Sequence, residues 1–110
     1  MTAPLILLHG FLGSAQDWDP TIEALGEERT CIALTLPGHG RASEPVPGSF
    51  ADVVSLIADR IASEAKEPAD VLGYSMGGRL ALALALDHPE QVHRAIALGA
   101  SAGIDSDMDR

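Results

Sequence analysis

The sequence predicts an α/β fold, a parallel sheet of about four strands with helices on both faces. Three observations predict it. Short apolar runs alternate with helical patterns in the order strand, helix, strand, helix, strand, helix, strand. The pentapeptide Gly73-Tyr74-Ser75-Met76-Gly77 fits G-x-S-x-G, a sharp turn that joins a strand to a helix. A hydrophobic content of 46% in 110 residues is enough for one packed core, so residues 1–110 are read as one small domain.

Each element has its own signal. Leu5–Leu8 follows Pro4 as a continuous apolar run and reads as the first strand. A helix is expected near Trp18–Leu25, capped by Asp17 and stopped by Gly26. Thr30–Leu34 is the second strand. It holds Cys31, the only cysteine, which reads as a core residue because no helix terminus or neighbouring base is evident to activate it. The breakers Pro37, Gly38, Gly40, Pro45, Pro47 and Gly48 mark a long loop. Phe50, Val53, Val54, Ile57 and Ile61 then share one helical face, and Ser49 with Asp52 resembles a capping box. Ala69-Asp70-Val71-Leu72 reads as a short buried strand. Gly78 to Leu86 alternates Leu with Ala, a period of two. Those residues are strong helix formers and β-branched residues are absent, so a helix is predicted, buried because it is apolar all round. Asp87-His88-Pro89 ends it, and Val92 to Leu98 is the last strand.

The chemistry centres on Ser75. An exposed serine on a strained turn, beside the positive end of a helix, is the catalytic use of this motif. An oxyanion hole needs two backbone N–H groups. Met76, the residue after the serine, offers one. The loop His9-Gly10-Phe11-Leu12-Gly13 follows the first strand and offers the other, with Phe11 as the candidate donor. A serine hydroxyl needs a base to take its proton. His88 lies at the far end of the helix that begins at the elbow, about 20 Å away by helical rise, and His93 starts a strand at the opposite edge. Neither reaches Ser75. His9 and His39 lie on loops at the productive edge, where they either order their turns or serve as a substitute base. Arg79, four positions after Ser75, shares its helical face, and a guanidinium grips a carboxylate in two-pronged fashion.

The balance of 16 acidic against 7 basic residues, net −9, argues against nucleic acid and against an anionic membrane as partners. No run of about 18 apolar residues predicts a membrane span. The chain enters a strand almost at once, leaving no room for an export signal, so the cytoplasm is the default location. No cofactor or metal is called for. The acids Asp105, Asp107 and Asp109 are spaced like the start of a calcium loop but lack its sixth-position glycine, and read as a solvated end.

Four blocks carry a resemblance: Leu7-Leu8-His9-Gly10-Phe11, Leu36-Pro37-Gly38-His39-Gly40-Arg41-Ala42-Ser43, Gly73-Tyr74-Ser75-Met76-Gly77-Gly78 and Ala95-Ile96-Ala97-Leu98. From about Leu5 to Gly103 the chain resembles the N-terminal part of an α/β-hydrolase fold, without the lid and the C-terminal strands. Within that superfamily, Leu8-His9-Gly10-Phe11-Leu12-Gly13-Ser14 with Trp18, and Gly73 to Leu82, most resemble the 2-succinyl-6-hydroxy-2,4-cyclohexadiene-1-carboxylate synthases of menaquinone biosynthesis. The resemblance implies a lyase that eliminates pyruvate from a small anionic carboxylate substrate. It implies Ser75 in proton removal, and substrate contacts from Arg79, His9 and Tyr74. The triad acid and histidine are not found after Ser75 in this chain, so turnover by the chain alone is not expected.

Three alternatives stand beside this reading. One is a serine esterase, thioesterase or carbon–carbon bond hydrolase of the same fold. Another is a non-catalytic fragment that self-associates or assembles with a complementing C-terminal half. The third, dinucleotide binding through Gly38-His39-Gly40-Arg41-Ala42-Ser43, is disfavoured because Pro45 and Pro47 block the helix that motif requires.

Overall fold

The computed structural model describes residues 3–11, 13–37 and 49–99. The remaining stretches hold Leu12, His39, the glycine-rich segment of the long loop and the acidic tail, and expectations for those residues lie outside the described ones.

Four strands form one parallel sheet: β1 (Leu5–Leu8), β2 (Cys31–Leu34), β3 (Ala69–Tyr74) and β4 (Val92–Leu98), in the order β2-β1-β3-β4. Leu8 of β1 lies opposite Leu34 of β2 and Gly73 of β3, so the carboxyl ends of β1 and β3 emerge side by side. The chain leaves β1 to one side to form β2, then crosses to the other side to form β3. That reversal of strand order opens a crevice at the carboxyl edge, where open α/β sheets bind ligands.

The two faces are packed separately. Alternation along β1 and β3 sends Ile6, Leu8, Ala69 and Val71 to one face, against α2 (Phe50–Glu64) and α3 (Met76–Asp87). Val54, Ile57, Ala58 and Ile61 of α2, with Leu80, Ala81 and Leu84 of α3, complete that core. Leu5 and Leu7 face the other way and meet Trp18, with Ile22, Cys31, Ala33 and Leu72 around them. The helix on that side is α1 (Asp19–Leu25).

The elements depart from the sequence reading in defined ways. The first helix begins as a 3₁₀ turn over Ala15–Trp18, with Ser14 rather than Asp17 as its capping residue. Asp17 instead reaches back inside that turn, its Oδ2 accepting the Ser14 N–H at 3.2 Å. Gly26 ends α1 as expected, with φ +67°, a conformation that only glycine adopts without strain. Phe50 shares the apolar stripe of α2 but stands half-exposed at the first position, before the helix meets the sheet. The capping role of Ser49 is present, its Oγ accepting the Asp52 N–H at 3.1 Å. The third helix is two residues longer at its start than the alternating run suggests. It is not buried all round: Leu86 is 81% exposed, because only the side carrying Leu80, Ala81 and Leu84 meets the sheet. Cys31 is half-buried beside Trp18.

Candidate active site

Ser75 occupies the one residue between β3 and α3. Its φ of 56° and ψ of −112° make it the only non-glycine residue with positive φ among the described residues. Such a conformation costs on the order of 1–3 kcal/mol and persists only where the surroundings impose it. Here they do. Ser75 N–H donates to the carbonyl of Leu98 at 2.8 Å, while its own carbonyl accepts from Gly78 N–H at 2.9 Å and Arg79 N–H at 3.2 Å. The flanking glycines permit the turn sterically. A methyl group on Gly73 would overlap the carbonyl of Gly77, and one on Gly77 would overlap the carbonyls of Leu8 and His9. The helix is therefore drawn tight against the end of β1.

The first N–H groups of α3 have no intrahelical partner. Those of Met76 and Gly77 find no acceptor among the described residues, and they sit at the positive end of a 12-residue helix. The Met76 side chain packs toward the core beneath. The loop after β1 reaches the same point. A methyl group on Gly10 would stand 3.4 Å from Ser75 Cβ and 2.9 Å from the Tyr74 ring. Phe11 follows directly, its side chain 70% exposed.

His9 is nearly the opposite of a free base. The residue is 1% exposed, and the Leu36 N–H donates to its Nε2 at 2.9 Å. The proton therefore resides on Nδ1, which donates to the Gly10 carbonyl at 2.7 Å. With both nitrogens engaged by backbone, the ring ties the loop after β1 to the loop after β2. Tyr74 is half-exposed and leans on Gly10 and Gly99. Arg79 is exposed and pairs with no acid among the described residues. His88 caps the far end of α3, and His93 lies low on β4 against Asp70, so neither approaches Ser75.

A cavity of about 310 Å³ opens beside the elbow, lined by His9, Gly10, Asp17, Trp18, Thr21, Tyr74 and Leu98. Ser75 is not among its walls, but the preceding residue, Tyr74, and the residue that accepts its N–H, Leu98, are. Four wall residues, Asp17, Trp18, Thr21 and Leu98, had not been assigned to a site from the sequence. The spacing of Trp18 and Thr21, three apart on one helical turn, is the only local signal for them. Trp18 is 8% exposed, and its Nε1–H is buried without an acceptor among the described residues. No group of three or more His, Cys, Asp or Glu side chains among the described residues is arranged to hold a metal ion. No helix among them is long and apolar enough to cross a membrane.

Comparison with known proteins agrees with this fold. The family model for the alpha/beta hydrolase fold matches residues 3–109. A Haemophilus influenzae protein, provisionally named 2-succinyl-6-hydroxy-2,4-cyclohexadiene-1-carboxylate synthase, is 38% identical over 110 residues, covering 96% of this chain and 44% of its own. The pimeloyl-[acyl-carrier protein] methyl ester esterase of Vibrio campbellii is 35% identical over 97 residues, covering 88% of this chain and 37% of its own. The solved structure of MenH from S. aureus superposes with a TM-score of 0.83 at 29% identity, covering 96% of this chain and 41% of that one. The chain thus spans about two fifths of the length of the relatives it matches.

Proposed function

Because this chain belongs to the α/β-hydrolase fold family, we propose that it carries the nucleophile elbow and oxyanion hole of a serine-dependent enzyme acting on a small carboxylate-bearing substrate. The single observation that carries this reading is the strained backbone of Ser75, held at the head of α3 beside the loop after β1. Strain of this kind at the one serine of the motif has a use when a hydroxyl must stand clear of the sheet.

The favoured reaction is pyruvate elimination of the 2-succinyl-6-hydroxy-2,4-cyclohexadiene-1-carboxylate synthase type. A proton leaves the substrate ring, its electron pair forms a ring double bond, the ring C–O bond to the leaving group breaks with its electrons going to oxygen, and the enolate released takes up a proton to become pyruvate. Ser75 assists the proton removal. The amides of Met76 and Phe11 hold the negative charge that develops, supported by the dipole of α3. Arg79 grips a substrate carboxylate, an arrangement favoured by its lack of an acidic partner among the described residues. Tyr74 borders the cavity, and His9 acts by shaping the loop rather than by touching protons. The histidine that activates Ser75, and the acid that orients it, come from sequence outside these 110 residues, in keeping with relatives more than twice as long. On this reading the isolated chain shows no turnover that depends on Ser75.

A serine esterase uses the same elbow, and the similarity to a methyl ester esterase favours it as the second reading. A titration separates the two. An aromatic dicarboxylate added to ¹⁵N-labelled chain should shift the amides of Met76 and Gly77 and the Arg79 side-chain N–H, and Arg79→Ala should weaken that binding by about 10-fold. Binding unchanged in Arg79→Ala would favour the esterase. Shifts confined to residues remote from the elbow would defeat both.

A further inference from the structure

At the edge of the sheet opposite the elbow, one buried carboxylate gathers cations from two sides. Asp70, near the start of β3, receives Arg29 Nη2 on Oδ2 at 2.6 Å. Its Oδ1 receives His93 Nδ1 at 2.9 Å, with Arg94 Nε at 3.6 Å. Arg29 also donates through Nε to the carbonyl of Ala3 at 2.8 Å. The β3–β4 pairing is irregular at this point. Ala69 lies opposite Val92 and Asp70 opposite Arg94, so His93 is an extra residue with no counterpart on β3. Bulges of this kind seldom occur between parallel strands and act to re-aim a strand. This one changes the phase of β4. Val92 and Ala95, three apart, both pack on the α2–α3 face, which an unbroken alternation forbids.

The corrected phase runs up β4 to Leu98, opposite Tyr74. There the Leu98 carbonyl accepts the Ser75 N–H, and the Leu98 side chain walls the cavity. A slip of one residue would carry that carbonyl about 3.3 Å from its donor and turn the Leu98 side chain to the other face. We propose that Asp70 and His93 are positioning residues for the elbow: by pinning the bulge they set the register that delivers the Leu98 carbonyl to Ser75. Arg94 and Arg29 hold the carboxylate from either side. The inference rests on the elbow geometry and not on which reaction the elbow performs.

The test reads hydrogen exchange of single amides in the 110-residue chain, with no turnover involved, so its failure leaves the functional reading standing. His93→Leu removes the donor to Asp70 at a half-exposed site. Ser75 amide protection should fall about 10-fold or more relative to the amides of β1. His93→Asn keeps an N–H where Nδ1 stands and should restore it. A merely structural role would lower all the amides together. Ser75 protection that is unchanged in His93→Leu, that falls in step with β1, or that His93→Asn does not restore would overturn the proposal. Should His93→Leu not fold, the wild-type chain carries the test through the ¹⁵N resonance of His93 Nδ1. A proton-bearing, slowly exchanging nitrogen supports the contact, and a bare one overturns it.

Discussion

At Gly77 a single hydrogen atom separates a working turn from a clash. Its Cα lies so close to the end of β1 that a methyl group would overlap the carbonyls of Leu8 and His9. Backbone on both sides leaves no flexible side chain to yield. Gly77→Ala should therefore destabilise the fold by about 2–3 kcal/mol, as overpacking at a rigid site does. Urea unfolding measures this, and a loss below that of an ordinary exposed Gly→Ala change would contradict the packing. Asp70 makes a different prediction. Burial works to raise its pKa, but hydrogen bonds from Arg29 and His93 and the charges of Arg94 and Arg29 outweigh it, leaving the carboxyl below its ordinary value of 3.8. A lowered folded-state pKa stabilises the native chain above the unfolded-state value, and that stability is lost as pH falls through the folded one. Wild type should exceed Asp70→Asn by a constant margin at neutral pH, and the margin should shrink below pH 3.8. A margin that grew in acid would reverse the sign. The tight turn at Ser75 and the close packing at Gly73 and Gly77 were legible in the sequence because the motif is contiguous. The Asp70 cluster was not, because residues 29, 70, 93 and 94 meet only once β4 is paired with its bulge.

Among the elements, those whose limits are set by their own residues were read best. β1 and β4 have the bounds expected of them. The Leu–Ala run of α3 carries a strand-like period, yet propensity and the demand of the elbow together identify a helix. Local reading went wrong at the first helix, where two devices compete. Pro20 suits the first turn of α1, but Ser14 and Asp17 already begin a tighter 3₁₀ turn upstream, so the chain enters helical structure earlier than Trp18. That early turn matters to the site, since it carries Asp17 and Trp18 of the cavity wall. For α2, the Oγ of Ser49 satisfies one of the donors that every helix start leaves open. Ser49→Ala should cost about 1 kcal/mol and Ser49→Asp little, because aspartate offers the same acceptor beside the positive end of the helix. Thermal unfolding of the two variants tests this. No loss in Ser49→Ala would mean that the N–H of Asp52 finds water as good a partner as the serine.

Over the whole molecule the two faces of the sheet are covered unequally. α2 and α3 span one face, while Trp18 and α1 cover only the β2–β1 half of the other. On the β3–β4 half, Tyr74, Ile96 and Leu98 stand about half-exposed in a row beside Leu72. Grouped apolar side chains on a sheet face expose more than scattered surface residues do, and Ile96 and Leu98 sit on β4, an edge strand that pairs only with β3 among the described residues. Net charge of −9 opposes association at long range, but salt screens it within about 10 Å at moderate ionic strength. We propose contact-driven association of the chain with a second copy of itself through this face. For the chain alone, sedimentation should show mass rising with protein concentration, and more steeply at 0.5 M salt than at low salt, since screening removes the repulsion and leaves the apolar contact. Ile96→Lys, which puts a charge in the centre of the row, should return the chain to a monomer with the fold intact. A wild-type chain that stayed monodisperse across that range would show that this face is stable in water by itself, and would overturn the self-association.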